Sequence, residues 1–171
     1  MTQEFPLDAF ADVLDGNAVY AAEFPGTGLS GRALKGLALV TCMDSRIEPL
    51  PLLGMEQGDV KILRNAGARV TDDVLRTLVL AAYLLDVNRV LVMPHTHCKM
   101  ASATEEQIHQ QILDDYGVDT NSVEFRTVSD QEAALVYDVR RIRSYPLLPK
   151  NFTVAGAIYD VHTGRIAVRD V

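Results

Sequence analysis

Leu37-Ala38-Leu39-Val40-Thr41-Cys42-Met43-Asp44-Ser45-Arg46 is the stretch that decides how this chain reads. Leu37 to Thr41 is short, apolar and nearly uninterrupted, as a strand covered on both faces would be. It runs straight into Cys42. A second apolar run, Arg89 to Pro94, ends the same way, in His95-Thr96-His97-Cys98. The chain has two cysteines, and both lie in these segments. Taken singly, each reads as a small buried hydrophobe. Taken together, with His95 three residues before Cys98 and an Asp-x-Arg directly after Cys42, they read as zinc ligands. Two thiols and an imidazole leave one position of a tetrahedral zinc open, which separates a catalytic metal from a structural one.

Working outward, Val60 to Leu63 reads as another strand, ending in Arg64-Asn65-Ala66-Gly67. Thr71 is an N-cap, with Asp72 and Asp73 well placed in the first helical turn. The helix from there through Leu85 is apolar nearly all round, which predicts burial, partly by another subunit. Ser102 to Glu105 and Ser129 to Glu132 have the capping-box pattern, each opening a helix. Thr153 to Val161 and Arg165 to Val168 flank Thr163-Gly164 as a hairpin. Strands alternating with helices give an α/β fold: a mostly parallel central sheet flanked by helices, with a C-terminal hairpin. One metal can join Cys42 and His95 only if their strands are neighbours or nearly so, given ~4.8 Å between strands. The strand ending at Arg64 should therefore not lie between them.

A length of 171 residues fits one domain, 1–171. Leu7, Phe10, Ala11 and Leu14 recur at helical spacing, so residues 1–24 read as an N-terminal helical arm. The net charge is −7, with no Lys/Arg cluster, which argues against nucleic acid or an anionic membrane as partner. The longest uncharged apolar run, Thr77 to Leu85, falls far short of the ~20 residues of a membrane span. Glu4 and Asp8 break up any signal-peptide pattern. The expected setting is the reducing cytoplasm, where a cysteine pair is more often metal-binding than disulfide-bonded.

Asp44 and Arg46 follow the first ligand by two and four residues. Their bland reading is a solvated ion pair, which contributes little. The functional reading starts from the metal. Two thiolates cancel the charge of zinc, so such a centre acidifies water less than one held by three imidazoles. A carboxylate beside it receives the water's proton or holds the hydroxide in place, and an Arg keeps that carboxylate ionised and oriented. Asp44 is also the residue that could close the site as a fourth ligand, which would suit a non-catalytic zinc protein. Spacing does not choose between these states. His97 alternates with the ligands and is expected to point away, with proton relay as its lesser reading. His109 is expected on an exposed helix and His162 in a turn.

Cys-x-Asp-x-Arg, then Arg-Asn-Ala-Gly, then His-x-x-Cys, in this order and spacing, resembles the β-class carbonic anhydrases, in particular their short, compact subgroup. Ser45 and the tail Tyr159-Asp160-Val161-His162-Thr163-Gly164-Arg165 add to the likeness, which is weak before residue 36. The resemblance implies Cys42, His95 and Cys98 as ligands of Zn2+, and Asp44 with Arg46 as the catalytic dyad in the open, Arg-paired form. It implies reversible hydration of carbon dioxide to bicarbonate through zinc-held hydroxide, and a homodimer or homotetramer with the arm packed on its partner. Arg64 and Asn65 are then expected at the subunit interface, and Gly67 in a tight turn. Relatives with the same motifs hydrolyse carbonyl sulfide or carbon disulfide, the alternative substrates. The chain departs from the family at Lys99, where Gly is usual, which puts a cation near Cys98. The Gln before the first strand and the pocket Tyr of larger members have no counterpart that the sequence places.

Overall fold

β1 (Leu37–Cys42) lies between β2 (Val60–Asn65) and β3 (Arg89–Met93), and β4 (Thr153–Tyr159) and β5 (Ile166–Arg169) extend the sheet in the order β2-β1-β3-β4-β5. The computed structural model describes residues 4–26 and 28–171, so positions 1–3 of the expected arm lie outside the described residues. The first four strands in that order are parallel, and β5 returns antiparallel to β4 as the expected hairpin. Thr41 sits opposite Met93, so the strands carrying Cys42 and His95 end side by side. β2 lies on the far side of β1, as the ligand argument required.

All six residues of β1 are buried, because helices and loops cover both faces of the sheet. Side chains alternate along a strand, and here the alternation sorts the core into two. Ala38, Val40, Val90 and Val92 pack with α3 (Asp72–Leu84) and α5 (Gln131–Arg143) through Val74, Leu78, Leu135 and Val139. Leu39 and Met93 face the other way, into a cluster with Cys42, Ile47, Cys98 and Met100. Both thiols thus grow out of an apolar layer. Burying each Leu or Val of this kind contributes roughly 1.5–3 kcal/mol.

The helix starts expected by sequence need two corrections. Thr71 does cap α3, accepting from the Val74 N–H at 3.3 Å. For α4 (Glu105–Tyr116), however, the capping box is Thr104 with Gln107, not Ser102 with Glu105. Ser102 is otherwise engaged, its hydroxyl donating to the Lys99 carbonyl at 2.8 Å. Glu105 reaches across to the backbone N–H groups of Phe125 and Thr127. At α5 the cap is Asp130, accepting from the Ala133 N–H at 3.0 Å, and Ser129 is not used. Glu132 pairs instead with Arg169 on β5 at 2.6 Å. α2 (Pro49–Leu53) has no counterpart among the expected elements: Pro49 starts the helix and Gly54 ends it in the left-handed conformation.

α1 (Ala11–Glu23) buries none of its residues, and Val13, Leu14, Val19 and Tyr20 are exposed. α3 buries one face in the core and leaves Leu80, Tyr83 and Leu84 in the open. β4 ends two residues before the expected Val161, where Tyr159 bridges to His95.

Candidate metal centre

Cys42 closes β1, and the Thr41 hydroxyl, fully buried, donates to the Met93 carbonyl at 2.8 Å, pinning the ends of β1 and β3 together. Beyond β3 the chain stays in register with β4: the Tyr159 N–H donates to Pro94 and the Thr96 N–H to Tyr159, at 2.9 Å each. His95 is therefore placed by sheet hydrogen bonds on both sides. The Gln131 side-chain amide adds a third tie, donating to the His95 carbonyl at 2.8 Å.

These ties bring the Sγ of Cys42, the Sγ of Cys98 and a ring nitrogen of His95 within 4.8 Å of one another, all buried. The sulfurs stand 3.9 Å apart. His95 Nδ1 lies 2.8 Å from the Thr96 carbonyl, which fixes the tautomer with a proton there and a lone pair on Nε2. That Nε2 is buried and has no hydrogen-bond partner among the described residues. A buried polar atom left so costs about 1–3 kcal/mol. A cation at the centre of the three donors removes that cost, and two thiols with one imidazole are the donor set zinc prefers. The cradle fits zinc.

The thiols are primed unequally. The Cys98 S–H lowers the pKa of Cys42 most; burial opposes, and His95 with the Gly67 and Asp44 N–H groups adds to the lowering, so the net direction is down. Cys98 is pushed up by the Cys42 thiolate and by burial. At 3.9 Å either sulfur can donate to the other, and a divalent cation bound by both displaces the proton between them. Burial pulls His95 down, but the Cys42 thiolate outweighs it and the net direction is up. The Gly67 N–H that faces Cys42 Sγ at 3.4 Å depends on a positive φ of 78°. A Cβ there would also come 3.2 Å from Met100 Cβ, so a side chain at position 67 meets both backbone strain and a close contact.

Asp44 and Arg46 form a two-pronged pair, Nε to Oδ1 at 2.9 Å and Nη2 to Oδ2 at 2.7 Å. The Arg46 side chain, then its backbone N–H, holds the Asp44 carboxyl well below the usual carboxylate range. Asp44 Oδ2 lies 3.7 Å from His95 Nε2, so the carboxylate overlooks the cradle while turned toward Arg46. Arg64 clamps the turn from below, donating to the Cys42 carbonyl at 2.9 Å and the Asp44 carbonyl at 2.6 Å. Asn65 holds the next loop through both backbone groups of Arg69. Within one chain, then, Arg64 and Asn65 already have partners that shape the site.

The remaining histidines stay outside the ligand group. His97 is exposed, its ring meeting that of His162 edge-on at 4.6 Å. His109 is half-buried rather than exposed, with Nδ1 at 2.8 Å from the Thr120 hydroxyl. Asp44, Arg46, His97, Lys99 and Gln131 border a cleft of about 470 Å³ beside Cys98. Gln131 was missed as a site residue because its local pattern reads as part of a helix cap.

A family model described as carbonic anhydrase matches residues 37–166. The chain belongs to the carbonic anhydrase family. The β-carbonic anhydrase 1 of Mycobacterium tuberculosis is 34% identical over 156 residues, spanning 91% of this chain and 94% of that protein. The crystal structure of a carbonic anhydrase from Streptococcus mutans superposes with a TM-score of 0.88 at 35% identity, covering 99% of this chain and 100% of that one. A carbon disulfide hydrolase of Acidithiobacillus thiooxidans is 28% identical over 150 residues, 76% of this chain and 75% of that protein. Zinc is the metal of β-class carbonic anhydrases, and the Cys42, His95 and Cys98 group is one that can hold it.

Proposed function

We propose that this carbonic anhydrase hydrates carbon dioxide reversibly to bicarbonate, with Cys42, His95 and Cys98 holding zinc and Asp44 with Arg46 as the catalytic dyad. The observation that carries the reading is the orphaned His95 Nε2 beside two thiols, overlooked by a carboxylate already paired with Arg46. When bound, zinc supplies a Lewis acid that makes a nucleophile of water near neutral pH. The chain's own contribution is orientation. A carboxylate held so far below its usual range is a weak base, so Asp44 acts as a hydrogen-bond acceptor rather than a proton store. Its Oδ2 accepts from the attacking O–H and turns the oxygen lone pair toward the carbon. Arg46 fixes that carboxylate with two hydrogen bonds, and Arg64 fixes the backbone that carries it. The cleft of about 470 Å³ admits a triatomic substrate and its hydrated product.

Carbon dioxide is preferred over carbon disulfide because the more similar relatives, at 34% and 35% identity, are named carbonic anhydrases, against 28% for the hydrolase. Stopped-flow hydration of carbon dioxide, run beside sulfide release from carbonyl sulfide and carbon disulfide, tests the choice. Sulfide release without hydration would transfer the site to the other substrates.

A homodimer or homotetramer is proposed from the apolar surface of α1 and the open face of α3. Large exposed apolar faces of this kind mark interfaces. Sedimentation at micromolar concentration is expected to show no monomer, and a monomer would remove this part of the account. The reducing cytoplasm is the proposed setting, since thiols 3.9 Å apart serve as ligands only while unoxidised. Recovery of the native protein from a non-cytoplasmic fraction would contradict it.

A further inference from the structure

The cleft beside the cradle carries more positive charge than the dyad uses. Among its bordering residues the one carboxylate is Asp44, and Arg46 engages both of its oxygens. Arg46 uses Nε and Nη2 for Asp44 and the His97 carbonyl, while its Nη1 has no hydrogen-bond partner among the described residues. Lys99 borders the same cleft, is exposed, and has an ammonium engaged by no ion pair or hydrogen bond among the described residues. Its backbone, by contrast, is fixed. Lys99 opens a short 3-10 turn directly after Cys98, and its carbonyl accepts from the Ser102 N–H at 3.1 Å and hydroxyl at 2.8 Å. Asp44 balances Arg46, so among the bordering residues Lys99 is the cation left without a carboxylate partner.

The geometry points to an anion subsite at the mouth of the cleft, made by the Lys99 ammonium and Arg46 Nη1, with bicarbonate as its ligand. It rests on the proposed reaction and sharpens it. Bicarbonate is a planar oxyanion with full negative charge, and carbon dioxide has none. Donors from two separate turns suit two of its oxygens, and guanidinium N–H groups match oxyanion geometry well. An exposed cation acts modestly and is screened by salt. Lys99 therefore stabilises the bound product without touching the neutral substrate. One equilibrium constant joins hydration and dehydration. Weakening bound bicarbonate alone must then raise KM and kcat of dehydration by the same factor.

The test uses the zinc-loaded full chain as wild type, Lys99→Gln and Lys99→Arg. Calorimetric titration with sodium bicarbonate, and with thiocyanate as a second monovalent anion, reads binding directly. At about 10 mM ionic strength, where screening extends ~30 Å, Lys99→Gln is expected to weaken both anions about threefold. Lys99→Arg is expected to bind like wild type, and the difference should vanish near 1 M salt, where screening acts within ~3 Å. KM and kcat for dehydration should rise together by the same threefold. Equal binding by wild type and Lys99→Gln at low salt overturns the subsite, and so does a weakening that persists at high salt. Failure of the reaction itself looks different. Wild type inert toward carbon dioxide, yet binding anions through Lys99, would sink the proposed function and leave the subsite standing.

Discussion

Asp138→Asn is the most informative substitution away from the cradle. Asp138 lies on α5, buried, and accepts from Arg69 Nε at 2.7 Å; the two side chains are 4% and 15% exposed. Arg69 reaches Asp138 from the loop after β2 and also donates to the Arg126 carbonyl at 3.2 Å. Removing one partner of a buried pair leaves a charge without compensation, at a cost of about 3–5 kcal/mol. Asn keeps the volume and one accepting oxygen, and Arg69 retains some exposure, so the low end, about 3 kcal/mol, is expected. At 2–4 °C per kcal/mol for a chain of this size, the midpoint should fall by about 6–12 °C. Thermal unfolding of zinc-loaded protein at fixed protomer concentration reads that shift, and urea unfolding of the same samples reads the free energy; concentration and metal are held fixed because oligomerisation and metal both add to apparent stability. The double variant Arg69→Met with Asp138→Leu should recover most of the loss, since apolar packing replaces a buried pair at little cost. A loss below about 1 kcal/mol would mean that the pair behaves as a surface one. A double variant as unstable as the single would equally refute the reasoning.

Asp44→Asn should keep the fold and zinc but lower hydration by about 100-fold or more, because the amide offers N–H where the attacking O–H needs an acceptor; activity within a few-fold of wild type would remove Asp44 from the dyad. Gly67→Ala should cost about 1–2 kcal/mol, from its φ of 78° and the approach to Met100, and weaken zinc in chelator competition by loosening the N–H that faces Cys42. Unchanged zinc affinity would detach that turn from the metal. At Glu105 burial pushes the pKa up, but N–H groups of Thr127 and Phe125 reverse it and hold it below the usual value. A depressed carboxyl contributes stability above its ordinary value of ~4.3 that is lost as pH falls through the folded one. Glu105→Gln should therefore lose about 1 kcal/mol near neutral pH and converge with wild type in acid; a gap that stays constant with pH would contradict it.

The metal cradle was legible because its chemistry forces its spacing. Only a few side chains bind zinc, and the two cysteines at two strand ends left little choice. That β1 and β3 are neighbours or nearly so followed from metal–ligand bond lengths set against the spacing of strands, and they lie side by side. What the sequence hid were contacts between segments far apart in the chain. Gln131 has the local look of a helix cap, yet its amide crosses to the His95 carbonyl. Glu105 and Glu132 look like capping-box partners and instead hold a distant loop and β5. Ser102 and Ser129 lost their expected roles because better placed neighbours, Thr104 and Asp130, took the N-cap positions. Local pattern reports what a side chain can do nearby, and tertiary partners decide what it does.

The central claim is that hydration needs one metal held by Cys42, His95 and Cys98. Zinc titrated into metal-free protein, with stopped-flow hydration of carbon dioxide recorded at each addition, tests it most directly. Activity is expected to rise linearly and to level off at about one zinc per chain, since three protein ligands define a single site. Cys42→Ser is expected to bind zinc far more weakly and to stay near background over the same range. Hydration by the metal-free protein, or a full equivalent of bound zinc with no hydration, would contradict the account.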